Sequence, residues 1–286
     1  MDAQNKKQEA APILSLDKKR VMFIGNSFVY YGNCVTYGSR DNDKGYFYQL
    51  ARSNGEDVYV YNYTYGGKNL RYIYENHLSR ESADFLALFD IVFISEAGEN
   101  NANILGDIKK ITALFPKSTR FCYLCHEYTH FSHHAHILSS LGKMEESGIE
   151  VADWGGLVYD LWNSDAFVPD SDTYYIRQTF IKDNKGGFNG EGAVASGKPG
   201  DCHHQNPLSG YLCALMAYCT VSGRQAYGAE YSFCTDKSLH PFFDTEAFVA
   251  AHYNNGVGTN MNEIFSSEKE MRGLQRLVDS LRKKSN

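Results

Sequence analysis

Ser27, Gly67, Asn100, Asp201 and His204 have the side chains and backbone freedom that acyl transfer requires. Ser27 follows Gly25 and Asn26 at the end of the apolar run Val21-Met22-Phe23-Ile24. Such a run predicts a strand buried on both faces. Its stop in glycine and then serine sets a hydroxyl at the carboxyl edge of a sheet, where open α/β folds hold their ligands. A serine hydroxyl becomes a nucleophile when a base takes its proton. His204 is the candidate base, and Asp201, three residues earlier, can fold back over one turn to orient it. An acyl-transfer intermediate also needs donors aimed at its oxyanion. The backbone N–H of Ser27, the N–H of Gly67 and the side-chain amide of Asn100 are such donors. Glycine at 67 lets the backbone approach a substrate closely.

Alternating strand and helix patterns must position these residues. Lys19 to Ile24 is the first strand. Tyr30 to Lys44 is a Gly-, Asn- and Asp-rich loop carrying aromatics, and Tyr46 to Ser53 a short helix closed by Gly55. Asp57 to Thr64 alternates as a second strand and ends in the turn Gly66-Gly67. Leu70 to Leu88 is helical with a break around Ser79 to Ser82. Ile91 to Ile94 is a third buried strand, leading into Gly98-Glu99-Asn100-Asn101. Ile104, Leu105, Ile108, Ile111 and Phe115 mark a helix that Pro116 ends. Arg120 to Cys125 is a fourth strand, Ile137 to Ser147 a helix stopped by Gly148, Ile149 to Ala152 a fifth strand, and Leu157 to Trp162 a helical turn. The stretch 200–207, Gly-Asp-Cys-His-His-Gln-Asn-Pro, precedes an apolar helix over Leu208 to Cys219 that opens near Pro207. Leu274, Leu277, Val278 and Leu281 mark a C-terminal helix. This alternation predicts an α/β fold with a central parallel sheet and helices on both faces.

In block order and composition, Lys19 to Thr220 resembles the SGNH (GDSL-type) serine hydrolase superfamily, in a branch opening with Gly-Asn-Ser-Phe. The resemblance places Ser27 as nucleophile, Gly67 as the second-block glycine, Asn100 as the third-block asparagine, and Asp201 with His204 as the final Asp-x-x-His. It implies a flavodoxin-like three-layer α/β/α sandwich and ester hydrolysis through an acyl-enzyme, without metal or other cofactor. Asn26 stands where Asp is usual. Gly-Glu-Asn-Asn stands where Gly-x-Asn-Asp is common, which leaves Asn101 as an alternative donor to Asn100. Gly66 competes with Gly67, and His203 with His204, though the Asp-x-x-His spacing favours His204. The substrate expected is a short acyl ester, such as an acetyl group on a carbohydrate. Tyr30, Tyr31, Tyr37, Tyr63 and Tyr65 flank the site and can stack on sugar rings or serve as packing. Trp154 and Trp162 read as core.

The middle of the chain carries two other chemical patterns. Cys122-Tyr-Leu-Cys125-His126 matches a haem c attachment pattern. On the fourth strand, however, positions three apart face opposite ways, so the two thiols diverge. His126-Glu127-Tyr-Thr-His130 matches the zinc pattern H-E-x-x-H, with His136 at a third-ligand spacing. That reading needs a helix, whereas Phe121 to Phe131 favours strand then loop, and His133 replaces the glycine of the metzincin pattern. His126, His130, His133, His134 and His136 can instead line the cleft after the fourth strand or form a solvated loop. A zinc-dependent hydrolase on the HEYTH segment and a non-catalytic glycan-binding protein on the same fold are the rival functions.

Length and composition bound the rest. At 286 residues the chain can bury a large core, and 43% hydrophobic with 22% charged residues is a globular balance. A net charge of −6 without a long Lys/Arg cluster disfavours a nucleic-acid or anionic-membrane partner. No apolar run approaches the ~20 residues that span a bilayer. Residues 1–17 read as a flexible polar tail without the apolar core of a secretory signal, so the protein is expected to be soluble, either cytoplasmic or exported with its signal absent. Residues 18–286 read as one domain with an irregular insertion around 163–199. Seven cysteines cannot all pair, and Cys122, Cys213 and Cys219 lie in apolar runs that suit reduced core thiols.

Overall fold

The computed structural model describes residues 12–30, 35–96, 103–125, 134–156, 207–239 and 261–282. Five strands form one parallel sheet: β1 (Arg20–Gly25), β2 (Tyr59–Thr64), β3 (Ile91–Ile94), β4 (Arg120–Cys125) and β5 (Glu150–Asp153). Their order is β2-β1-β3-β4-β5, the flavodoxin-like order, with its switch point between β1 and β3. The helices are α1 (Ser27–Tyr30), α2 (Tyr46–Ser53), α3 (Leu70–Asn76), α4 (Ala83–Leu86), α5 (Ile104–Thr112), α6 (His134–Glu146), α7 (Pro207–Ser222), α8 (Met261–Ser266) and α9 (Glu268–Arg282).

Strand alternation divides the interior into two cores. Val21 and Phe23 of β1 point to one side with Val60, Ile91, Phe93, Cys122 and Leu124, where α2, α7 and α9 cover them. Met22 and Ile24 point to the other with Val92, Ile94, Tyr123 and Cys125, under α3, α5 and α6. A strand sandwiched this way must be apolar at every position, which is why β1 and β3 are unbroken runs. The result is a three-layer α/β/α sandwich. Phe23 stacks on Phe93 at 4.6 Å, and Phe47 of α2 meets each edge-on at 5.2 Å. Such pairs add about 0.5–1.5 kcal/mol each beyond the area they bury.

Helix α7 is apolar all round because it is buried all round. Its direction matters for the site. Val221 O near its end accepts from Arg120 Nη1 at 3.0 Å, and Arg120 opens β4. The end of α7 is therefore at the amino edge of the sheet. At 1.5 Å per residue the helix is about 24 Å long, enough to carry its start, Pro207, to the carboxyl edge.

Several sequence expectations shift. The tail expected over 1–17 is docked over its last residues. Leu14 N–H donates to Ser222 O at 2.8 Å, Leu16 is buried, and its N–H donates to Glu56 Oε1 at 3.2 Å. The same buried carboxylate accepts from the Tyr218 hydroxyl at 2.8 Å and from Arg224 Nη2 at 3.2 Å. Ser27 to Tyr30 forms a helical turn where Tyr30 was expected to open a loop. Leu70 to Leu88 divides into α3, a 3-10 turn over Leu78–Arg80 and α4. Asn69 caps the first helix through Tyr72 N–H, and Ser82 caps the second through Phe85 N–H. The helical turn expected over 157–162, Trp162 and the insertion around 163–199 lie outside the described residues. Among the described residues no helix is long and apolar enough to cross a membrane.

Candidate functional site

Ser27 leaves β1 at the carboxyl edge, half-buried, at the start of α1. It sits at the switch point, flanked by the ends of β2 and β3. Gly25 permits this close approach: a Cβ there would lie 2.9 Å from Ser95 O. Ser95 N–H in turn donates to Ile24 O at 2.9 Å, and its hydroxyl donates to Leu124 O at 3.0 Å. The segment that leaves β3 is thus stitched to β1 and β4 at the rim.

The loop after β2 is stitched to the Ser27 turn more tightly. Tyr65 N–H donates to Gly25 O at 2.9 Å. Asn26 is 7% exposed and acts through both ends of its amide. Its Oδ1 accepts from Phe28 N–H at 3.1 Å, an Asx turn that shapes the chain around Ser27. Its Nδ2 donates to Lys68 O at 3.2 Å. One side chain therefore ties the residue before Ser27 to the residue after Gly67.

The two glycines differ. Lys68 N–H donates to Tyr65 O at 3.2 Å, closing a turn whose third position is Gly67 at φ +67°. That left-handed conformation is what glycine supplies without strain. Above Gly67 the space is open, whereas a Cβ on Gly66 would meet the Tyr30 hydroxyl at 2.8 Å. Among the described residues the Gly67 N–H has no acceptor. Asn100, Asn101, Asp201, His203 and His204 lie outside the described residues, so Ser27 and Gly67 are the parts of the expected set that the fold is seen to bring together.

The outer wall of this rim is aromatic. Tyr65 stacks on His77 with ring centres 3.9 Å apart, and Tyr63 meets Tyr65 edge-on at 5.6 Å. Burial, reinforced by Glu81, pushes the Tyr63 hydroxyl above the ordinary phenol range, and its O–H donates to Glu81 Oε1 at 2.7 Å. Tyr37 and Tyr63 are buried and serve packing, while Tyr30 and Tyr65 are half-buried; Tyr31 lies outside the described residues. Trp154 is core. The guanidinium of Arg40 lies 5.0 Å from the Tyr63 ring centre and 4.9 Å from that of Tyr65. Arg40 escaped the sequence reading because an isolated arginine in a polar loop has no local signal. Asn26 was read only as a departure from Asp, although an Asx turn is a local feature that it could have suggested.

Cys122 points into one core and Cys125 into the other, so they cannot hold one haem between them. Burial pushes the Cys122 and Cys213 thiols up and that of Cys219 up to about 12, which keeps them protonated and inert. His126, Glu127, His130 and His133 lie outside the described residues. His134 and His136 fall in the first turns of α6. Among the described residues no group of three or more His, Cys, Asp or Glu is placed to hold a metal.

No family model matches the chain, and no curated protein matches it. Among solved structures, the crystal structure of a DUF4886 family protein from Bacteroides uniformis is similar over 92% of this chain and 94% of that one, at 13% identity and a TM-score of 0.51. The two chains share the α/β fold.

Proposed function

We propose that the chain is a serine hydrolase of the SGNH kind that cleaves a small acyl ester, with an acetyl group on a carbohydrate as the preferred substrate class. The observation that carries this reading is the joining, through Asn26, of the Ser27 turn to a glycine turn with open space where a Gly67 side chain would stand and, among the described residues, no acceptor for the Gly67 N–H. A nucleophile and an oxyanion donor need that relation.

In the proposed reaction Ser27 Oγ attacks the ester carbonyl while His204 takes its proton. Asp201 orients the imidazole and steadies its positive charge. The N–H groups of Ser27 and Gly67, with the Asn100 amide, hold the oxyanion. His204 then gives its proton to the departing alcohol, leaving an acyl group on Ser27. Water, with His204 again as base, releases the acid and restores the hydroxyl. The direction of α7 supports the assignment of the base. Pro207 opens on the carboxyl edge and His204 precedes it by three residues, a tether of about 11 Å at most.

Hydrolysis of 4-nitrophenyl acetate tests this reading against the zinc alternative on His126, Glu127, His130 and His136. The expected result is turnover that a strong chelator leaves unchanged. Turnover abolished by chelator and restored by zinc, or no turnover by folded protein, would contradict the proposal.

A further inference from the structure

We propose that Arg40, laid on Tyr63 and Tyr65, is a subsite for a carboxylate carried by the alcohol part of the substrate. The inference rests on the hydrolase reading and narrows its substrate class to acidic esters.

The loop that presents Arg40 is built rather than loose. The Asp43 carboxylate is buried and accepts from three backbone N–H groups, Tyr37 at 2.7 Å, Ser39 at 2.8 Å and Gly45 at 2.8 Å. The segment also runs along the outer side of β2, where Asp43 N–H donates to Val60 O at 2.8 Å and Asn62 N–H donates to Arg40 O at 3.1 Å. The backbone at Arg40 is therefore fixed to the sheet. Its side chain is exposed yet lies over two tyrosine rings.

The guanidinium lies within cation–π range of both rings, whose planes are 70° apart, and such an attraction supplies no oxygen acceptor for its N–H fork. Among the described residues Arg40 makes no ion pair or side-chain hydrogen bond. Arg71, Arg120 and Arg224, by contrast, each hold a carboxylate. The nearby Glu81 is engaged by the Tyr63 hydroxyl. A guanidinium carried on a fixed backbone, with no acceptor among the described residues, matches a planar carboxylate, which it can bind with two parallel bonds.

Its place fits a substrate reaching out from Ser27. The Tyr30 ring packs 3.2 Å from where a Gly38 Cβ would be, and its hydroxyl abuts Gly66. Gly38 is two residues before Arg40, and Tyr65 precedes Gly66. A continuous wall thus runs from the Ser27 turn to Arg40, across about two strand spacings, on the order of 10 Å. An ester bond over Ser27 and an acid group at Arg40 are separated by the span of a sugar unit or two.

The test compares wild type, Arg40→Lys and Arg40→Gln on acetylated glucuronate and on acetylated glucose. Arg40→Gln should raise KM for the acidic ester about tenfold or more, leave kcat alone, and leave both constants for the neutral ester unchanged. Arg40→Lys, which keeps charge but loses the fork, should fall between. Equal effects on both esters, or none, would overturn the subsite. Calorimetric titration of the Ser27→Ala protein with glucuronate and with glucose separates the two readings. If wild type hydrolyses neither of these esters nor 4-nitrophenyl acetate, the hydrolase reading fails. Glucuronate-selective binding lost in Ser27→Ala/Arg40→Gln still upholds the subsite, and binding without that selectivity sinks it.

Discussion

Ser27→Ala is expected to lower kcat/KM for an aryl acetate by about 10⁴- to 10⁶-fold, and His204→Ala by a similar factor. In the proposed mechanism the two act as one device, because a hydroxyl is a poor nucleophile until an imidazole takes its proton. The double variant should therefore be no worse than either single one. Independent contributions would multiply instead, and that result would place Ser27 and His204 in separate roles. Ser27 is half-buried at a rim, so its loss should leave the thermal midpoint within a few degrees. A collapse of stability would mark Ser27 as a packing residue.

The second large effect is expected at Asn26. Asn26→Asp keeps the acceptor that Phe28 N–H uses and removes the donor to Lys68 O. It also sets a carboxylate against a carbonyl oxygen. The Asx turn survives while the tie to the Gly67 turn is lost. Misplacing an oxyanion donor by about 1 Å can cost on the order of 100-fold, so kcat should fall about 10- to 100-fold with KM little changed. Asn26→Ala loses both bonds and should also destabilise the fold by about 1–3 kcal/mol. Wild-type turnover in Asn26→Asp would show that the amide does not set the distance between nucleophile and donor. An ionised aspartate has no N–H to offer Lys68 O, so the contact is one that aspartate cannot copy unless protonated.

What was legible in the sequence was what local periodicity encodes. Val21 to Ile24 and Ile91 to Ile94 declared themselves as doubly buried strands because parallel strands under two helix layers admit no polar position. Gly55 and Gly148 marked helix ends because both take positive φ, +76° in each case. The strand reading of Arg120 to Cys125 correctly separated its two cysteines. Less legible were features made by partners distant in sequence. Leu16 is buried with its N–H on Glu56, while Leu14 N–H holds the far end of α7, and nothing in residues 1–17 announces either. The lone turn α1 and the short α8 are too brief for a period to show. The Asn26–Lys68 bond and the laying of Arg40 on Tyr63 and Tyr65 depend on how the β1 and β2 loops meet in space. For the site, order along the chain foresaw that Ser27 and Gly67 leave neighbouring strand ends. It carried no information on which donor atoms would be left unspent there.

The most direct measurement is to react the folded protein with a fluorophosphonate and locate the adduct by peptide mass mapping. A single adduct on Ser27 that does not form in His204→Ala is expected. An adduct on another residue, unabated labelling in His204→Ala, or no adduct on folded wild type would contradict the proposed mechanism.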